Sequence, residues 1–106
     1  MKQAIRSALA DADIDAAVSL YLGESVPDAI GFIDELERAT KHIEANPATG
    51  SPRYAESLNI PRLRFWPLRR FPYALFYIEH TDHLDVIRCV HVSRDIPASL
   101  QESQQK

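Results

Sequence analysis

Near Asn46-Pro47 the spacing of apolar residues changes from a helical period to a strand-like one, and that change limits the folds open to the chain. Before it, two stripes recur at i, i+3, i+4 and i+7. The first is Ile14, Ala17, Val18, Tyr21 and Leu22; the second is Ala29, Phe32, Ile33, Leu36, Ala39 or Thr40, and Ile43. Each gives a helix one apolar face. The first helix is expected from Asp11 to Leu22, with Asp11, Asp13 and Asp15 in its early turns, where carboxylates favour the exposed amides of a helix start. Gly23 ends it. Ser25 as N-cap, Pro27 in the first turn and Asp28 at capping-box spacing open the second helix. It stops at Asn46, because a residue before proline disfavours helical geometry. Helices joined by so few residues pack antiparallel as a hairpin.

After the turn marked by Gly50 and Pro52, three strands are expected. The first runs from Ile60 to Pro67, with Arg62 and Arg64 alternating with Leu63 and Phe65, and its prolines suit an edge. Tyr73 to Glu79 and Leu84 to Val92 are apolar on both sides, as central covered strands are. The short polar segment His80-Thr81-Asp82-His83 joins them as an antiparallel hairpin. Gln3 to Leu9 is read as a first, weakly encoded strand. The order β-α-α-β-β-β predicts an α+β fold, a helical hairpin packed on a small, mostly antiparallel sheet. Residues 1–96 form one domain in this reading, and 97–106 a frayed polar tail.

A chain of 106 residues suffices for one core. No segment approaches the roughly 20 apolar residues of a membrane span, and the start lacks a secretory pattern. Cys89 is alone, so no internal disulfide forms, and a cytoplasmic location without membrane contact is expected. The net charge of −3 argues against general nucleic-acid binding. Yet Arg53, Arg62, Arg64, Arg69 and Arg70 are opposed in their segment by Glu56 alone.

These arginines either form a surface for an acidic partner or lie on a solvated strand face. Trp66 is either an interface anchor or core. His91 with Arg94 and Asp95 has the makings of acid–base and phosphate chemistry, although a strand end closed by an Arg94–Asp95 ion pair is the simpler reading. The pair His80 and His83 matches no familiar metal spacing, and no metal or cofactor is expected. Cys89, mid-strand, reads as a small buried hydrophobe rather than a nucleophile.

Several features stand in a recognisable order: the acidic helix from Asp11 to Leu22, the long helix ending at Asn46-Pro47-Ala48-Thr49-Gly50, and Leu63-Arg64. Phe71-Pro72-Tyr73 with Tyr77, and His91 followed by Arg94-Asp95, complete the order. Together they resemble the ParE branch of the ParE/RelE toxin superfamily. The resemblance implies a bacterial toxin held inactive by a cognate antitoxin, and operator DNA contacted only through that antitoxin. It also implies DNA gyrase as the target, inhibited by binding rather than by catalysis. Arg62, Arg64, Trp66, Arg69, Arg70 and Arg94 are the expected partner-binding residues. RelE-like relatives are instead ribosome-dependent ribonucleases. No tyrosine follows Tyr77 and no lysine lies between Lys41 and Lys106, so the ParE reading is preferred. The alternatives are such a nuclease, using Glu56, Arg64, Arg70 and His91, or a non-toxic binding domain.

Overall fold

The computed structural model describes residues 1–104. Its elements are β1 (Gln3–Arg6), α1 (Ala8–Glu24), α2 (Val26–Ala45), a single 3-10 turn (Pro47–Thr49), β2 (Leu63–Pro67), β3 (Tyr73–Glu79), β4 (His83–His91) and α3 (Ile96–Gln104). The sheet order is β1-β4-β3-β2. β2, β3 and β4 pair antiparallel, and β1 joins β4 in parallel. The expected α+β architecture is the observed one, with β2 at an edge and β3 and β4 central.

Local chemistry sets the boundaries. Ser7, not Asp11, starts the first helix, its hydroxyl accepting from the Ala10 N–H, so Ala8 and Leu9 leave the expected first strand. Ser25 caps α2 by accepting from Asp28 N–H, and Asn46 ends it. β2 begins only at Leu63, because Arg62 takes a positive φ of 65° that breaks the extended chain.

The sheet divides two cores. On one side α1 and α2 bury Ile14, Ala17, Phe32, Leu36 and Ile43 against Leu75, Tyr77, Leu84, Val86 and Cys89. On the other, Leu63, Phe76, Ile87 and Val90 pack with Ile60 and Leu100, flanked by Tyr54 and Leu58. The second core corrects the expected frayed tail. Asp95 caps α3, its Oδ1 accepting from Ala98 N–H and its carbonyl from Ser99 N–H. Leu100 is then fully buried. One apolar side chain entering a core anchors a short helix that shows no stripe in sequence. The last two residues of that tail lie outside the described residues. The same cover leaves neither face of the sheet open to solvent.

β4 runs on beyond β1. Their pairing ends at Arg6 with Val86, which leaves a length of β4 with polar backbone groups facing no strand. Ser7 and Asp13 take the place of the missing strand. Ser7 N–H donates to Val86 O at 3.0 Å and its hydroxyl to Ile87 O at 2.9 Å. Asp13 Oδ2 accepts the Cys89 N–H at 3.0 Å. Phe76 pairs with Arg88 and Tyr77 with Val86, so Ile87 is an extra, bulged residue that reverses the alternation of β4. Val86 and Cys89 thereby face the helical hairpin, while Ile87 and Val90 face α3. Arg88, 4% exposed, donates from Nε and Nη2 to Asp13 at 2.7 and 2.8 Å and from Nη1 to Ser99 O. One guanidinium thus ties α1 on one face to α3 on the other.

Removing the acid would strand that guanidinium in the interior. Asp13→Ala is expected to destabilise the fold by about 3–5 kcal/mol, measured as a lower urea midpoint. The double change Asp13→Ala with Arg88→Met is expected to recover part of the loss.

Candidate functional site

The helical hairpin keeps an uncovered side. A groove of about 690 Å³ runs between α1 and α2, with Ile14, Val18, Ile33 and Leu36 as its apolar lining and Arg6, Lys41, Asp15, Glu37 and Glu44 around it. Two of these charged groups are already engaged. Arg6 pairs with Asp11 at 2.8 Å, and Glu44 accepts the Ala4 N–H at 2.8 Å, closing the outer edge of β1. On the hairpin Leu20, Leu22, Val26, Ile30 and Ile33 are 38–58% exposed, Ile33 in the groove and Leu20 at the opposite flank of α1. Exposed large apolar side chains gathered on one hairpin are of the kind that marks a binding surface. The stripe of α2 explains Ile33: the helix buries Phe32 and Leu36, and Ile33 widens its apolar face beyond what the sheet covers.

The arginines do not form one patch. Arg62 lies with Lys2, Glu79 and His80 around a shallow depression near the β3–β4 turn. Arg64 turns inward and donates to the carbonyls of Ala48 at 3.2 Å and Gly50 at 2.7 Å, so it holds the α2–β2 connection. Arg69 and Arg70 lie at the other end of β2, in the turn to β3. There Glu35, gripped by Arg38, also accepts the Arg69 N–H at 2.6 Å. Arg70 adopts φ 68°, with its guanidinium beside the Phe71 ring and near Gly31 of α2. Both Arg62 and Arg70 therefore occupy left-handed backbone where Gly or Asn would be at ease. Trp66 is half-buried and stacks on His42 with ring centroids 4.6 Å apart.

A second, polar cleft of about 420 Å³ lies on the opposite flank of α1, where Tyr73, His91, Ser93 and Arg94 meet Ala16 and Leu20. His91 Nδ1 accepts the Ser93 N–H at 3.1 Å and sits 2.7 Å from its hydroxyl. The ring nitrogen Nε2 therefore carries the proton in neutral imidazole. Burial raises the Tyr73 hydroxyl pKa, reinforced by Cys89 and opposed by Arg94. The expected Arg94–Asp95 ion pair does not form, because Asp95 caps α3 instead. Glu56, Arg64, Arg70 and His91 are not drawn together. Glu56 is exposed beyond β2 on the segment flanking the second core, Arg64 is bound to carbonyls, Arg70 rests by α2, and only His91 reaches the polar cleft.

His80 and His83 stack at 4.7 Å in the turn, and the bond from His83 holds the Asp82 carboxyl below its usual pKa. Among the described residues no group of three or more His, Cys, Asp and Glu is placed to hold a metal ion. No helix there is long and apolar enough to cross a membrane.

One structural device gave no sign in the sequence beyond a glycine. The Tyr77 hydroxyl donates to Pro47 O at 2.7 Å and accepts the Gly50 N–H at 3.0 Å. A Cβ on Gly50 would meet that hydroxyl at 2.5 Å and Phe65 O at 2.9 Å, so glycine is needed here for space, not for its dihedral range. The same contact sets Arg64, which reaches the carbonyl of Gly50.

A helical hairpin over a four-stranded sheet, with one parallel strand at its edge and an apolar groove left open on the hairpin, defines an α+β domain. The profile of the family described as ParE toxin of type II toxin–antitoxin system, parDE, matches residues 5–96. The chain belongs to that ParE toxin family. Its fold is similar to a chain from the chromosomal ParDE TA system from P. aeruginosa, with a TM-score of 0.71 and 22% identity, covering 88% of this chain and 98% of the other. A search of curated proteins gives no match.

The buried acids of the first core make stability sensitive to alkali. Burial, with Asp13 adding to it, pushes the Cys89 thiol from 9.0 to about 12, and Tyr21, Tyr73 and Tyr77 are raised from 10.0. The unfolded chain releases these protons first, so it binds fewer protons than the native state and stability falls with rising pH. The urea midpoint is expected to hold below pH 9 and to drop between pH 9 and 12, with a shallower drop in Cys89→Ala.

Proposed function

We propose that this chain acts by holding two proteins in turn, a cognate antitoxin that neutralises it and DNA gyrase that it inhibits. The observation that carries the reading is the open apolar groove and patch on the hairpin of a fold whose sheet is covered on both faces. An amphipathic partner segment laid in that groove buries Ile33 and Val18 and meets the ammonium of Lys41 at its rim. Membership of the ParE toxin family supplies the partner's class. Operator DNA is then reached only through the antitoxin. Gyrase rather than messenger RNA is favoured by the net charge of −3 and by the separation of Glu56, Arg64, Arg70 and His91. A polyanionic substrate needs cations that converge.

Within this reading the arginines divide by role. Arg64 supports the fold. Arg62, Arg69 and Arg70 are exposed, and two of them keep a costly backbone conformation, as residues do where the side chain serves a contact. Trp66, stacked on His42, and Arg94, in the cleft at the other flank of α1, are lesser contributors.

Three outcomes test the proposal. Ile33→Glu is expected to leave the unfolding midpoint nearly unchanged, since the side chain is part-exposed, and to weaken antitoxin binding on the order of 30-fold or more by calorimetry. Arg70→Asn is expected to stabilise the fold by up to about 1 kcal/mol through relief of the left-handed strain, while lowering affinity for a protein partner. Unchanged affinity in both variants removes the proposed surface. Induced expression is expected to alter plasmid supercoiling while ribosome-bound message stays intact. Cleavage of that message overturns the gyrase reading.

A further inference from the structure

We propose that the polar cleft between α1 and the end of β4 is a carboxylate-binding site that receives a Glu or Asp side chain of an extended protein segment. It rests on the reading that the chain works by gripping proteins, but it names a site separate from the hairpin groove. The two lie on opposite flanks of α1: Ile14, Asp15 and Val18 face the groove, and Ala16 and Leu20 face the cleft.

The observation that points to a ligand is Tyr73. It is 8% exposed and lines the cleft, yet its hydroxyl has no hydrogen-bond partner among the described residues. A hydroxyl on the wall of a cleft that the protein itself leaves unpaired is a donor available to whatever enters. Two further donors line the same cleft. The tautomer held by Ser93 leaves the His91 Nε2–H to donate, and Arg94 brings a guanidinium. The His91 and Tyr73 rings stand edge to face at 5.1 Å, and both residues line the cleft. Asp13, also at the cleft, does not compete for these donors: its oxygens are taken by Arg88 and the Cys89 N–H.

The lining chooses among anions. Three donors with one fixed cation suit a monoanionic carboxylate, which accepts from several N–H and O–H groups at once. A phosphate chain would face the charge of an acidic protein, with Asp95 next to Arg94. Ala12, Ala16 and Leu20 offer small apolar surface where an aliphatic stem or a neighbouring residue can lie. About 420 Å³ admits a side chain with its flanks.

The full chain, labelled for NMR, is titrated with N-acetyl-Leu-Glu-Leu-amide, the matching Gln peptide, sodium acetate, inorganic phosphate and a short uridine RNA. The Glu peptide is expected to shift the Tyr73, His91 and Arg94 resonances and to bind on the order of tenfold tighter than the Gln peptide. Tyr73→Phe and Arg94→Gln are each expected to weaken it by a similar factor. Because the Tyr73 hydroxyl has no bond to lose, Tyr73→Phe keeps or raises the unfolding midpoint, which separates lost binding from lost fold. Equal binding of the Glu and Gln peptides, or an unaltered affinity in Tyr73→Phe, overturns the site. Acetate binding as tightly as the peptide assigns the site to small carboxylates and overturns the protein segment. Tighter binding of phosphate or RNA overturns the carboxylate. The Ile33→Glu variant is expected to bind the peptide normally, so failure of the groove and failure of the cleft are read separately.

Discussion

The fold depends on what happens where β1 ends and β4 continues. A four-residue strand cannot satisfy the backbone of a nine-residue neighbour, and the orphaned groups would lie beneath α1, away from water. Ser7 and Asp13 solve this by standing in for strand backbone, Ser7 donating to two carbonyls of β4 and Asp13 accepting from one of its amides. Asp13 would bring an unbalanced charge to the interior without Arg88, and Arg88 would be impossible there without Asp13. The pair is therefore a single structural unit, extended to α3 through Ser99.

That unit also places the groove and the cleft. Asp13 sits on α1, and its bonds to β4 fix the helix in height and rotation over the sheet. One flank of α1 then opens to the groove shared with α2, and the other to the cleft shared with Tyr73 and His91. A turn of α1 about its axis would close one and widen the other. At the far side of the molecule, Tyr77, Gly50 and Arg64 do the corresponding work, locking the end of α2 to β2 so that the hairpin holds its angle. The groove and the cleft are thus held in shape by hydrogen bonds between the helices and the sheet.

Much of this was legible in the residues. The helical stripes, Ser25, Asn46-Pro47 and the alternation after Gly50 carry short-range information, and capping and periodicity act within a few residues. The hairpin of helices, the edge position of β2 and the central pair β3 and β4 follow from them. The beginning of α1 was misplaced because three aspartates compete with Ser7 as a start signal. α3 has no such pattern, because it is held by Leu100 and part-buried Ile96, a capping aspartate and the Arg88 bond to Ser99 O. The arginines illustrate the same limit: adjacent in sequence, they are separated by the length of β2 and by a positive φ at each end of that segment, so closeness along the chain did not become a shared surface.

By itself, then, the sequence determined the element types, their order and the α+β class, because those depend on local propensity and on which face of each element is apolar. It also carried the likeness to the ParE family, which the comparison confirms. Tertiary structure alone decided that Asp13 faces Arg88 across 75 residues of chain, that the sheet is covered on both faces, and that Tyr73 and His91 meet in a cleft while Arg64 is spent on two carbonyls. These are long-range pairings set by strand register and by one bulge in β4. A register shift of a single residue sends every side chain to the opposite face, so no reading of neighbours along the chain can supply them.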